Sequence, residues 1–165
     1  MVQVHERVPI HFKGINMKQK AIIVDLDGTI ANNDHRQHYI LTKDGKKDWD
    51  SFNRNHYKDQ PNHWCVHLMI AMQLQGYNIL IVSGRSDEFF AGTQTWLERS
   101  GIPFDRLLMR KKDDHRKDFE IKSDIYINDI FPHFEIEFCI DDRKQVVDFW
   151  RSIGLVCLQC ADGNF

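Results

Sequence analysis

"AIIVDLDGTI", residues 21–30, decides the fold. Six of its ten residues are aliphatic, and the unbroken run that opens it is the pattern of a strand covered on both faces. The run predicts a first strand over 21–26, yet Asp25 and Asp27 sit at its end, one residue apart, followed by Gly28 and Thr29. A second stretch, "FCIDDRKQVV" at 138–147, again ends an apolar run in carboxylates, the adjacent Asp141 and Asp142. Negative charge at the mouth of a core strand needs a reason.

Working outward, residues 32–61 turn polar, with Tyr39, Trp49 and Phe52 interspersed, and read as an insertion of short helices and loops. A helix is predicted over 62–75, with Val66, Met69, Ile70 and Gln73 along one side. "YNILIVSGR" (77–85) reads as a second strand running into a Ser-Gly-Arg turn, and Phe89, Thr93, Trp96 and Leu97 mark the next helix by their spacing. "RLLMRK" is a short strand. "KDFEIKSDIYINDI" has helical spacing at Phe119, Ile121, Ile125 and Ile130, despite its β-branched residues. "IEFCI", "KQVVDFWRSIG" and "LVCLQC" then read as strand, helix and strand. Such alternation predicts an α/β fold, a doubly wound parallel sheet with helices on both faces. Ligands of such sheets bind beyond the carboxyl ends of the strands. Asp25 and Asp27, Ser83, Gly84 and Arg85, and Asp141 and Asp142 are all expected there.

The chain has 165 residues, enough for one domain with a sizeable core, and it carries no repeat or linker, so a single domain over 1–165 is expected, with an N-terminal extension over 1–19. A formal net charge of −2 excludes a strong global field for gripping duplex nucleic acid, though not local basic patches. No apolar run approaches the ~20 residues of a membrane helix, so no membrane partner is expected. The first twenty residues lack the apolar core of a signal peptide, and four cysteines make no disulfide scaffold; both favour a cytoplasmic protein.

Carboxylates crowded into one crevice repel one another unless a cation neutralises them, and hard oxygen ligands beside a phosphate site suit Mg²⁺. Ser83, Arg85 and Lys122 bring hydroxyl and cationic groups to the same edge, a set fit for gripping a phosphoryl group. The chemistry this favours is covalent phosphoryl transfer, one aspartate attacking phosphorus and the other shuttling the proton.

"DLDGT" after an apolar strand, then "VSGR", a downstream lysine and "IDD" resemble the four motifs of the haloacid dehalogenase (HAD) superfamily of phosphatases. "RKDFEIKSDIY", the stretch from Phe131 to Phe165, and Arg36 eleven residues after Asp25 narrow the resemblance to the phosphatase domains of phage T4-type polynucleotide kinase–phosphatases, over roughly residues 20–165. The resemblance implies an HAD-like (Rossmannoid) fold with a small cap-type insertion. It implies Asp25 as nucleophile and Asp27 as general acid/base, with Lys122 binding phosphate and steadying Asp25. Thr29 and Ser83 would hydrogen-bond the phosphoryl group or position the loop, while Arg36, Gly84, Arg85 and Asp118 match substrate-site positions. Mg²⁺ would be held by Asp25, the main-chain carbonyl of Asp27, and Asp142 with Asp141 beside it. Arg36, in the insertion, would meet substrate from above. The bifunctional members of that family carry a P-loop kinase domain; no G-x-x-x-x-G-K-[ST] occurs here, so 5′-kinase activity is not expected. The segment between Arg85 and Trp96 is shorter than in that family, and the insertion differs.

The implied substrates are 3′-phosphorylated DNA or RNA ends or nucleotides, with a kinase or ligase acting alongside and with Trp49, Phe52 and Tyr57 available to stack on a terminal base. A 5′-nucleotidase or small-molecule phosphatase on the same fold, and an inactive binding module, stand as alternatives. "CLQC" at 157–160 has Cys-x-x-Cys spacing, but strand positions three apart face opposite sides, so two core thiols are expected rather than a metal site. His63 and His67, four apart on the predicted helix, lack the Glu of H-E-x-x-H and read as surface residues. The basic run Arg110–Lys117 contains Asp113 and Asp114, and reads either as a solvated loop or as a phosphate-backbone contact.

Overall fold

The computed structural model describes residues 18–43 and 45–163, so most of the expected N-terminal extension lies outside the described residues. Five parallel strands form the sheet, β1 (Gln19–Val24), β4 (Asn78–Ser86), β5 (Arg106–Arg110), β6 (Phe134–Arg143) and β7 (Cys157–Gly163), in the order β5-β4-β1-β6-β7. β1 is central because the next strand of the sheet lies on one side of it and, two strands later, the chain returns to the other. That reversal makes the end of β1 the switch point at which a doubly wound sheet opens a crevice.

Helices α2 (His63–Leu74) and α3 (Phe90–Arg99) cover one face, packing Cys65, Met69, Trp96 and Leu97 against Ile22, Val24, Ile79 and Ile81. On the other face α5 (Lys144–Ser152) sets Val146, Val147 and Trp150 against Ala21, Ile23, Leu80 and Val82. α4 (Asp118–Ile125) lies beside it and continues into a wider π-helical turn over Tyr126–Ile130. Successive residues of β1 thus enter opposite cores, which is why its aliphatic run is continuous.

The insertion is delimited by a two-residue antiparallel ribbon, β2 (Ala31–Asn32) with β3 (Gln60–Pro61). Between them lie a 3₁₀ turn over Asp34–Tyr39, the short helix α1 (Trp49–Arg54) and a second 3₁₀ turn over His56–Lys58, the short helices and loops expected. The stripe of α2 differs from expectation: Val66 and Met69 are buried, but Cys65, not Ile70, completes the inner face, and Gln73 is exposed. Apolar residues surround α2 on nearly every side, so periodicity alone could not orient it. Among the described residues no helix is long and apolar enough to cross a membrane.

Candidate active site

β1 ends directly beneath the site. The Asp25 N–H donates to the Ile140 carbonyl of neighbouring β6 (2.9 Å), which locks the loop's first residue to the sheet. Asp25 is buried, and Lys122, from α4, is buried completely beside it. The Lys122 ammonium donates to Asp25 Oδ1 at 2.6 Å and Asp141 Oδ2 at 2.7 Å, and stands 3.6 Å from Asp118 Oδ2. Burial alone would depress its pKa, but Asp118, Asp141 and Asp25 outweigh that and hold it well above the ordinary lysine value. These contacts separate Lys122 from Lys111, Lys112 and Lys117, whose neighbourhood in sequence made it one of several choices.

Asp25, Asp141 and Asp142 each offer a carboxylate oxygen within 4.8 Å of the others, and Asp142 Oδ1 is buried with no hydrogen-bond partner. Burial, then the charge of Asp141, pushes Asp142 up to about 7; burial likewise raises Asp25, with Asp141 and Asp142 adding to it against the opposing pull of Lys122. An unpartnered buried acceptor on a member of this crowded acidic trio fits a hard divalent cation. The Asp27 side chain stands outside this trio. Gly28, at φ +88, turns the loop under Asp142, and a Cβ there would lie 2.3 Å from Asp142 Oδ2. Only glycine meets both demands.

Asp27 faces the other way. Arg36 Nη2 and Arg85 Nη2 both donate to its Oδ1, the latter at 2.5 Å, and Arg85 Nε donates to Oδ2 at 3.2 Å. Burial would raise this carboxyl, but Arg85 and then Arg36 hold it well below the usual range. Its side chain is 20% exposed against 6% for Asp25, so Asp27 is the reachable member of the pair. Ser83 Oγ accepts the Arg85 N–H (3.1 Å); the expected Ser-Gly-Arg turn is instead the irregular last stretch of β4, where the register against β5 shifts between Ser83 and Ser86. Gly84 lets Asp118 approach: a Cβ there would sit 2.0 Å from Asp118 Oδ1.

Arg36 sits differently from expectation: it is fully buried within the insertion rather than poised above the site, its guanidinium 4.0 Å over the Phe52 ring. Thr29 is also fully buried, with its Oγ1 3.5 Å from Cys160 Sγ and its carbonyl taking Asn62 Nδ2 (2.9 Å). Of its two expected roles, these contacts match the holding of the loop.

A cleft of about 570 Å³ opens over Asp25, Asp27, Ser83 and Arg85, walled by α1 on one side and by the Arg110–Lys117 loop on the other. Its lining includes a carboxylate backed by an ammonium, Asp25, which is also the member of the cation-ready trio that reaches the cleft, and a second carboxylate between guanidiniums, Asp27; this is machinery for phosphoryl transfer. Comparison with known proteins agrees. Residues 19–165 match the family described as the polynucleotide kinase PNKP phosphatase domain, an HAD-type phosphatase. The chain belongs to this family. Over 139 residues it is 28% identical to a protein of Autographa californica nuclear polyhedrosis virus named as a bifunctional polynucleotide kinase/RNA ligase, covering 82% of this chain and 18% of that protein. A chain in a solved structure of a Pnkp1/Rnl/Hen1 RNA repair complex is 32% identical, with a TM-score of 0.77, covering 90% of this chain and 44% of that one. The protein thus spans less than half the length of either relative. A class C acid phosphatase from Bacillus anthracis, 21% identical with a TM-score of 0.64 over 90% of this chain and 69% of that one, shares the HAD fold.

Within this member of the PNKP phosphatase family, the site is also bordered by Asp59, which sequence reading passed over, and by Arg110, read there only as the start of a basic run. Asp59 binds Arg36, and Arg110 donates to the Gly84 carbonyl (2.6 Å) and lies 3.5 Å from Asp118. Of the aromatics expected to stack on a base, Trp49 lies at the cleft wall, 40% exposed; Phe52 is buried under Arg36, and Tyr57, though exposed, is not among the cleft residues. His63 and His67 are surface residues of α2. Cys157 and Cys160 pack into opposite cores, and burial pushes their thiols up to about 12 and about 11, so both remain protonated.

Proposed function

We propose that the protein is a Mg²⁺-dependent polynucleotide 3′-phosphatase of the cytoplasm that works alongside a kinase or ligase activity. What carries this reading is the division between two aspartates two residues apart. Asp25 is buried against Lys122 within the acidic trio, and Asp27 stands outside it, part-exposed between Arg36 and Arg85. The names of its relatives, a kinase/RNA ligase and an RNA repair complex, support nucleic-acid ends as the substrate.

In this scheme Asp25 attacks phosphorus, and its new P–O bond forms as the bond to the 3′ oxygen breaks. Asp27, held ionised by Arg85 and Arg36 in the free protein, takes up a proton as the phosphoryl group engages those guanidiniums and then gives it to that oxygen. Water then attacks phosphorus, Asp27 takes a proton back, and inorganic phosphate leaves Asp25. Lys122 neutralises Asp25 and, with Ser83 and Arg85 at the cleft floor, grips the phosphoryl oxygens. Asp25, Asp142 and the main-chain carbonyl of Asp27, with Asp141 alongside, would hold Mg²⁺, which would supply positive charge for the transferring group.

The test is phosphate release with Mg²⁺ from a 3′-phosphorylated oligonucleotide, its 5′-phosphorylated counterpart, and 3′- and 5′-mononucleotides. We expect turnover of 3′-phosphates, lost in EDTA and reduced at least ~10³-fold in Asp25→Asn. Release confined to 5′ phosphates would overturn the 3′ assignment. Near-normal turnover by Asp25→Asn would remove the mechanism.

A further inference from the structure

Asp59 is buried at the far end of the insertion, just before β3, and its own backbone is tied down. Its N–H donates to the His56 carbonyl (3.0 Å), and its carbonyl accepts the Trp96 Nε1–H of α3 (2.9 Å). Its carboxylate takes Arg36 in a two-pronged grip, Nε to Oδ1 at 2.8 Å and Nη2 to Oδ2 at 2.6 Å, while His35 Nε2 lies 2.8 Å from Oδ1. Arg85 Nη2 stands 3.7 Å from Oδ2. Asp27, Arg36, Asp59 and Arg85 therefore close a ring of alternating charge in which Asp59 faces Asp27 across two guanidiniums. A planar guanidinium held at two atoms has little freedom left to rotate. Nη1 of Arg36 donates to the Phe52 carbonyl (3.1 Å), and Nη2, already on Asp59, also donates to Asp27 Oδ1.

We propose that Asp59 is a positioning residue of the reaction, setting Arg36, and through it the Asp27 carboxyl, at the angle required for proton transfer. Asp59 is not itself among the cleft residues and stands outside the acidic trio, so it acts through Arg36 and, more distantly, Arg85. The inference rests on Asp27 as the proton-transferring group, and not on the 3′ assignment.

The chemistry supplies a readout that mere loss of packing would not produce. An alkoxide leaving group needs a proton as it departs, whereas p-nitrophenolate departs without one. In kcat/KM, which reports the first phosphoryl transfer, Asp59→Asn should fall about tenfold or more on an alkyl ester such as a 3′-nucleotide or β-glycerophosphate, and less than about threefold on p-nitrophenyl phosphate. Asp59→Glu, which keeps the charge, should recover part of the alkyl activity. Asp27→Asn is the control and should show the same split. An equal fall on both esters in Asp59→Asn, or no fall, overturns the inference when Asp27→Asn does show the split. No split in Asp27→Asn overturns instead the role given to Asp27. If Asp59→Asn does not fold, the same ratio measured in Asp59→Glu decides, an unchanged ratio counting against the proposal.

Discussion

Asp142 concentrates the electrostatic problem of the site on one carboxyl. Its Oδ1 is buried and unpartnered, Asp141 is the next residue, and burial with that neighbour lifts it to about 7. A carboxyl with a folded pKa above its unfolded value of about 3.9 binds more protons folded than unfolded between those two values. Stability linked to it is therefore present below about pH 4 and lost as pH climbs toward 7. In EDTA, the urea midpoint should be lower at pH 8 than at pH 5. Excess Mg²⁺ should raise it mainly at pH 8, where the trio is ionised and ready to bind. A metal-free midpoint that rises across this interval would show that Asp142 is not the strained group.

At the scale of elements, loops that carry the chemistry rely on glycine and on close approach, while helices supply cohesion. Gly28→Ala sets a Cβ 2.3 Å from Asp142 Oδ2 at a backbone angle that L-residues rarely adopt. We expect the Mg²⁺ concentration for half-maximal activity to rise at least about tenfold, with a stability cost of about 1–2 kcal/mol. Trp150→Ala, on the sheet-facing side of α5, should do the reverse: about 3–5 kcal/mol lost in urea unfolding, with kcat essentially unchanged. The strands and their catalytic ends were legible in sequence because carboxylates interrupt apolar runs, an arrangement that burial otherwise disfavours. The face of α2 was not, since its apolar residues run nearly all round. Nor was Asp59 legible: it lies in "HYKDQP", where a carboxylate is ordinarily solvated, and only tertiary packing brings Arg36, Arg85 and Trp96 around it. Arg36 was visible by its spacing from Asp25, but its buried position was not, because an arginine in a polar stretch gives no sign of the Phe52 ring beneath it.

The whole molecule is nearly neutral, so whatever attraction it has for a polynucleotide must be local. One wall of the cleft is the Arg110–Lys117 loop, where Lys111 and Lys112 are largely exposed and lie 3.2 and 3.5 Å from Asp87 and Glu88. Both the solvated-loop and the backbone-contact readings of this run fit such pairs, and length dependence separates them. If these lysines meet the phosphates behind the terminal one, Lys111→Glu with Lys112→Glu should raise KM roughly tenfold for a 3′-phosphorylated oligonucleotide at low salt, and less as salt increases. KM for a 3′-mononucleotide should not move. Equal effects on both substrates would leave the loop a solvated wall.

The insertion begins and ends at the two-residue ribbon of β2 and β3, and between those ends it contributes both Arg36 and Asp59 to the surroundings of Asp27. Grafting a bulkier cover from another phosphatase of this fold, cut at that ribbon, would remove both groups in one stroke and leave Arg85 to hold Asp27 unaided. If Asp25 and Asp27 have the proposed roles, such a chimera would keep its nucleophile and lose the alignment of its proton donor unless the donor segment brings a guanidinium to the same spot. On the proposed mechanism, the stretch that borders the cleft would also orient the proton donor, so a change to one would carry over to the other.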